Sequence, residues 1–144
     1  MRFRAFIDGA ARKNPGPAGA GVYVEAEGDR PVEELFEPLG STTNNVAEYR
    51  ALLLALTRAA ELGADDVELF SDSRLLVEQV NGRFRIKADH LKPLLSEAVT
   101  RAKRFRRFSI AHVRREQNRK ADRPPPRHRH LLPPVPGSCG RRRR

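Results

Sequence analysis

The stretch NVAEYRALLLALTRAAELGADDVELFSD, residues 45–72, carries the pattern from which the rest of the chain can be read. Between Val46 and Leu62 the residues Leu52, Leu53, Leu56, Ala59 and Ala60 recur at helical spacing, and Gly63 stands where a helix ends on a left-handed residue. A helix over 46–62 is predicted. Its start is marked by Asn45 with Glu48 three residues on, the form of a capping box, which puts Glu48 in the first turn. Val67 to Ser71 is then a short apolar run ending at Asp72, predicting a buried strand, and a second helix from about Ser73 to Val80 stops at Asn81-Gly82.

Working towards the N-terminus, Phe3, Ala5 and Ile7 alternate through Arg2–Asp8 and stop at the Asp8-Gly9 turn signal, so a first strand is expected there. The segment 14–21, Asn-Pro-Gly-Pro-Ala-Gly-Ala-Gly, predicts a loop. It feeds a second strand around Val22–Ala26 and a third near Val32–Leu39, with Glu33-Glu34 interrupting its pattern, in an antiparallel meander. Strand, helix, strand in that order then favours a parallel pair. Towards the C-terminus, Asp89 is placed to cap a helix whose Leu91, Leu94, Leu95, Ala98, Val99 and Ala102 share one face. A last strand, Phe108–Val113, and a short helical stretch over 117–123 follow.

From residue 123 the composition changes abruptly to proline and arginine. A segment of that kind buries too little apolar surface to offset its ordering entropy, so residues 123–144 are expected to be a disordered tail on a domain spanning residues 1–122. The change also suggests that the natural C-terminal helix has been replaced, for example through a shifted reading frame.

The net charge of +10 is unevenly spread. Residues 1–82 hold 8 basic and 14 acidic side chains, residues 83–120 hold 13 and 3, and residues 121–144 hold 7 and 1. An acidic half that can hold cations beside a basic half that can hold phosphates points to a polyanionic partner. The single cysteine, Cys139, allows no internal disulfide and belongs to no zinc pattern, which fits a reducing compartment. With no apolar run near membrane-spanning length and no signal-type leader, a cytoplasmic, monomeric protein with no membrane partner is expected.

Three carboxylates fall where a mixed sheet gathers side chains: Asp8 and Asp72 at strand ends and Glu48 near a helix start. Each alone has an ordinary role, as a turn or cap residue or as a complement to the helix dipole. Together they form a hard oxygen donor set suited to Mg²⁺ or Mn²⁺.

Asp8-Gly9-Ala10, the Asn14-Pro15-Gly16-Pro17 loop, Thr42-Thr43-Asn44-Asn45-Val46-Ala47-Glu48, Ser71-Asp72-Ser73, and Asn118 followed four residues later by Asp122 resemble, in order, the motifs of ribonuclease H type 1. The resemblance covers residues 1 to about 122. It implies an α/β, ribonuclease H-like fold: a five-stranded mixed sheet, three antiparallel strands then parallel additions, flanked by helices. It also implies two divalent ions, Mg²⁺ or Mn²⁺, held by Asp8, Glu48, Asp72 and Asp122. In that scheme Asp8 bridges both ions, Asp122 helps hold the ion on the attacking-water side, and Glu48 and Asp72 hold the ion on the leaving-group side. Asn14, Asn44 and Asn45 match the family's substrate contacts, Glu48 its 2′-hydroxyl contact and Thr43 a DNA-phosphate contact. The implied activity is endonucleolytic hydrolysis of the RNA strand of an RNA·DNA hybrid, leaving 5′-phosphate and 3′-hydroxyl ends.

The chain departs from the family in three places. The basic protrusion of some members shrinks to residues 81–87, so Arg83, Arg85, Lys87, Arg101, Lys103, Arg104, Arg106 and Arg107 become candidates for gripping the hybrid. No histidine lies in the loop after the last strand, and His112 and His90 are given no catalytic role. Pro124-Pro125-Pro126 forbids the family's last helix and is expected to weaken the ion that Asp122 helps hold. A catalytically impaired nucleic-acid-binding protein of the same fold, and a nuclease that also cuts double-stranded RNA, are the competing readings.

Overall fold

The computed structural model describes residues 1–13, 15–83 and 85–118, and the backbone of His130–Leu131. Five strands and three helices carry the domain: β1 (Arg2–Ala11), β2 (Gly16–Val24), β3 (Glu33–Thr42), α1 (Asn44–Glu61), β4 (Asp66–Ser71), α2 (Arg74–Val80), α3 (Lys92–Ala102) and β5 (Arg107–His112). A two-residue strand β6, His130–Leu131, joins the β3 edge in parallel, so the sheet order is β5-β4-β1-β2-β3-β6. β1, β2 and β3 form the antiparallel meander. β4 and β5 are added in parallel on the other side of β1. The expected five-stranded mixed sheet is present.

One sheet face is apolar because its residues follow the period-two alternation of each strand. Phe3, Ala5 and Ile7 of β1, Val22 and Val24 of β2, Leu35 of β3, Val67 and Leu69 of β4 and Ile110 of β5 are all buried in one core. α1 lies across this face. Its Ala47, Tyr49, every residue from Ala51 to Leu56, and Ala59 are buried, a coverage wider than one stripe. The reason is that α2 and α3 pack against α1 as well as the sheet does, so α1 is an interior helix. Each fully buried Leu side chain contributes about 1.5–3 kcal/mol, and most of the core is therefore tied to α1's position.

The opposite face is half-buried and aromatic. Phe6 stacks on Phe70 with ring centroids 5.1 Å apart, and the Arg4 guanidinium lies 4.8 Å from the Phe70 ring centroid. Arg4 also pairs with Glu25 at 3.1 Å and Glu68 at 3.0 Å. By alternation, Asp8 shares this face with Arg4 and Phe6.

Several boundaries differ from expectation. β1 continues past Asp8 to Ala11, because Gly9, Ala10 and Ala11 pair with Ala20, Gly19 and Ala18 of β2. The Gly/Pro-rich segment expected as a loop is therefore strand from Gly16 onward. Small residues are needed there: a Cβ on Gly19 would come within 2.7 Å of the Phe36 ring. Glu33-Glu34 does not break β3, which runs to Thr42. Asp89 does not cap α3; it opens a 3₁₀ turn, Asp89–Leu91, and pairs with Lys92 at 3.0 Å, while α3 begins beyond it with Pro93 in its first turn. Of the stretch expected to be helical over 117–123, only Gln117 and Asn118 are described, in a turn. Within the segment expected to be disordered, His130–Leu131 pair with β3; its other residues lie outside the described ones.

Candidate active site

The last parallel pair of β1 and β4 is Ile7 opposite Ser71. Asp8 follows within β1 and Asp72 directly after the end of β4, and the two strands' backbones lie about 4.8 Å apart. α1 is brought to the same edge by Gly9. A Cβ on Gly9 would overlap the Ala47 carbonyl and the Glu48 amide, so the helix backbone rests directly on β1. The Glu48 backbone is therefore brought against β1 one residue from Asp8.

The first turn of α1 corrects one expectation. The N-cap is Thr43, whose Oγ1 accepts the Val46 amide at 3.3 Å, and Asn45 lies inside the helix. No acidic residue sits in the first turn, so Glu48 belongs to the second. β3 ends at Thr42 and the helix begins at Asn44, two residues earlier than expected, so Thr43 is the side chain in place to cap. Asn44 is turned the other way, its Oδ1 accepting the Ala11 amide at 2.6 Å and tying α1 to the end of β1.

Glu48 is held from the α2 side. Ser73 Oγ donates to Glu48 Oε1 at 3.0 Å, and the same oxygen accepts the Leu76 amide at 3.2 Å, capping α2. Burial pushes the Glu48 carboxyl up to about 7; the neighbouring Asp72 charge adds to the rise, while the Ser73 hydrogen bond and the Arg115 charge oppose it. In the next position, Tyr49 OH donates to Gln79 Oε1 at 2.7 Å, a buried bond that locks α1 to α2. Burial and the Glu48 charge raise the Tyr49 pKa, so this phenol stays a donor. Tyr49→Phe leaves Gln79 Oε1 buried without its partner and should cost about 1–3 kcal/mol, read by chemical denaturation. An unchanged midpoint would show that the bond contributes nothing.

The chain after β5 is anchored to the same place. Asn118 is fully buried, and its Nδ2 donates to the Ile7 carbonyl at 2.9 Å, on the residue before Asp8. The sequence shows Asn118 only as part of a motif; its bond to β1 spans 111 residues. The roles of Ser73 and Arg115 also escape a sequence reading, since they depend on what is brought alongside Glu48.

Of the candidate ligands, Asp8, Glu48 and Asp72 come to one edge, all half-buried, and Asp122 lies outside the described residues. Among the described residues, no three His, Cys, Asp or Glu side chains form a ready ligating group. The donor chemistry nonetheless fits a hard divalent cation: oxygen donors, two of them in mutual repulsion, and a Glu48 whose charge is disfavoured without a counter-charge. A cavity of about 1020 Å³ lies elsewhere, between α1 and α3 beside Thr57, Arg101 and Phe105.

Among the candidate substrate contacts, Asn45 is exposed, Thr43 and Asn44 are half-buried in the structural roles just given, and Asn14 lies outside the described residues. The basic candidates divide by position. Arg107 pairs in register with Asp66, at the far end of β4 from Ser71. Lys103, Arg104, Arg106 and Arg107 are thus roughly 17 Å from the carboxylate edge. Arg83 and Arg101 are engaged by Glu78 and Glu97, each at 2.6 Å. His112 is exposed on the edge strand β5.

Glu48 gives a pH signature in the absence of divalent cations. Its pKa in the fold, about 7, exceeds the ordinary 4.5, so the folded state holds the proton more tightly. The associated stabilisation is fully present below pH 4.5 and is lost as pH rises through 7. In EDTA, wild type should lose on the order of 2 kcal/mol relative to Glu48→Gln across that window. Parallel stability curves would contradict this.

This is a ribonuclease H-like α/β domain with carboxylates where the β1–β4 parallel pairing ends and α1 packs on β1. The family described as reverse transcriptase-like matches residues 6–123. A bifunctional protein of Mycobacterium tuberculosis is 43% identical over 117 residues, 81% of this chain and 32% of that protein. The ribonuclease HI of Halobacterium salinarum is 42% identical over 122 residues, 84% of this chain and 61% of that one. The crystal structure of ribonuclease H1 from the same archaeon superposes with a TM-score of 0.79 at 40% identity, covering 85% of this chain and 92% of that one. LC11-RNase H1, solved in complex with an RNA/DNA hybrid, gives 0.76 at 35% identity, covering 83% and 91%. The chain belongs to the ribonuclease H type 1 family. It spans about a third of the mycobacterial relative's length and less than two thirds of the archaeal enzyme's.

Proposed function

We propose that this chain is an endoribonuclease that hydrolyses the RNA strand of RNA·DNA hybrids, with two divalent ions, Mg²⁺ or Mn²⁺, held by Asp8, Glu48, Asp72 and Asp122. The observation that carries this reading is the placement of Asp8 and Asp72 one residue past the last β1–β4 parallel pair, with the Glu48 backbone packed on β1 at Gly9 and the Asp72 charge acting on the Glu48 carboxyl. The similarity to LC11-RNase H1, whose structure contains a hybrid, supports the substrate.

Ions bound there would stabilise charge on the phosphoryl oxygens and supply a nucleophile from water near neutral pH. The chain's own residues arrange the site. Asp8 and Asp72 are held by sheet register, Glu48 by Ser73, and the backbone before Asp8 by Asn118. Arg115 brings positive charge to the same edge, where a scissile phosphate would lie. Thr43, Asn44 and Asn45 stand at the start of α1 ahead of Glu48; with Asn14 they are the substrate contacts of this reading, Thr43 to a DNA phosphate and the asparagines with Glu48 on the RNA side, where the 2′-hydroxyl distinguishes RNA. The products carry 5′-phosphate and 3′-hydroxyl ends. In this reading the protein works as a cytoplasmic monomer; among the described residues no helix is long and apolar enough to cross a membrane.

The test is one panel of labelled RNA·DNA hybrid, double-stranded RNA and double-stranded DNA, with Mg²⁺ or Mn²⁺. Cuts confined to the hybrid's RNA strand are expected. Equal cutting of double-stranded RNA would overturn the substrate assignment, and binding without cuts would support a non-catalytic nucleic-acid-binding role.

A further inference from the structure

The Ser73 hydroxyl is committed in both directions. It accepts the Leu76 amide and gives its one proton to Glu48 Oε1. The turn that carries it is pinned as well, since the Ser73 amide donates to the buried Ser71 Oγ at 3.0 Å. The Tyr49–Gln79 bond then fixes α1 against α2 one residue along from Glu48. Turning Oε1 away from Ser73 would break this set, of which Oε2 is not a part.

We propose that Ser73 is a positioning residue that makes Glu48 a one-oxygen ligand and thereby favours Mg²⁺ over Ca²⁺ at the carboxylate edge. The inference rests on the metal-site reading above. Mg²⁺ demands near-ideal octahedral geometry, whereas Ca²⁺ accepts six to eight oxygens and readily takes a carboxylate through both. A carboxylate tied through one oxygen suits the first ion. Released from the tie, it can rotate to offer both oxygens and suits the second better.

Isothermal titration of the full chain with Mg²⁺ and with Ca²⁺ tests this in wild type and in Ser73→Ala, Ser73→Gly and Ser73→Thr. Threonine keeps the donor, whereas alanine and glycine lose it. Glycine largely retains the preference for the cap position, which separates loss of the donor from weakening of α2. The Ca²⁺-to-Mg²⁺ affinity ratio should rise about tenfold in both the alanine and glycine variants and stay near wild type in the threonine variant. A ratio unchanged in alanine and glycine, or shifted equally in threonine, overturns the role of Ser73 while leaving the metal site standing. Wild type that takes up neither ion, with heats identical to those of Asp8→Asn, overturns both.

Discussion

Asp8→Asn should abolish cleavage of a hybrid while leaving its binding nearly intact. Asp8 is central to the carboxylate edge: it stands one residue past the last β1–β4 pair, as Asp72 does, and next to Gly9, on which the Glu48 backbone rests. Asparagine preserves the shape and one oxygen but removes the charge that balances a cation. Rate enhancement from bound cations is worth several kcal/mol, so a loss on the order of 10³-fold or more is expected under single-turnover conditions. Binding should change little, because affinity for nucleic acid comes mainly from cationic contacts to phosphates, and removing a negative charge slightly favours them. Rates measured beside a binding isotherm at the same salt separate the two effects. Cleavage within tenfold of wild type would remove Asp8 from the chemistry.

Gly9→Ala should be nearly as damaging for a different reason. The added methyl would meet the carbonyl of Ala47 and the amide of Glu48, which are helix backbone and cannot swing aside. Either α1 lifts from the sheet or β1 bends. Overpacking of this kind costs about 1–3 kcal/mol and occasionally more, which lowers Tm by several degrees in a domain of this size. Lifting α1 also draws Glu48 away from Asp8, and a displacement of about 1 Å in a catalytic constellation can cost on the order of 10²-fold in rate. The measurement is activity well below the variant's own Tm, where the protein is folded. Full activity there would mean that the Gly9 contact serves packing alone.

How much was legible in advance depended on whether local pattern or remote contact decides a feature. α1, β4 and the face of α3 are visible because their apolar periodicity follows directly from which side meets the core. β2 is not, since Gly16–Gly21 has the composition of a loop and becomes strand only because β1 and β3 pair on either side and Phe36 needs the space above Gly19. The start of α1 offers capping side chains at both Thr43 and Asn45, and the point where β3 ends chooses between them. The carboxylates Asp8, Glu48 and Asp72 stand out as candidates because the motifs around them are intact, although β1 runs on past Asp8 and Glu48 lies one turn further into α1 than expected. Their supports do not stand out. Ser73 acts on Glu48 across 25 residues and Asn118 on Ile7 across 111, partnerships that exist only once α2 and the chain after β5 are in place. The basic residues show the reverse case: adjacent in sequence as a block, Lys103 to Arg107 lie at the far end of the sheet from the site, while among the described residues Arg115 brings its positive charge to bear on Glu48.

The most direct test of the account is cleavage of a hybrid labelled separately on each strand, using the full chain with Mg²⁺, with Mn²⁺ and with EDTA. Cuts in the RNA strand alone, bearing 5′-phosphates, dependent on either ion and absent in EDTA, are the predicted result. Tight binding with both strands intact under every condition, or RNA cuts that persist in EDTA, would contradict it.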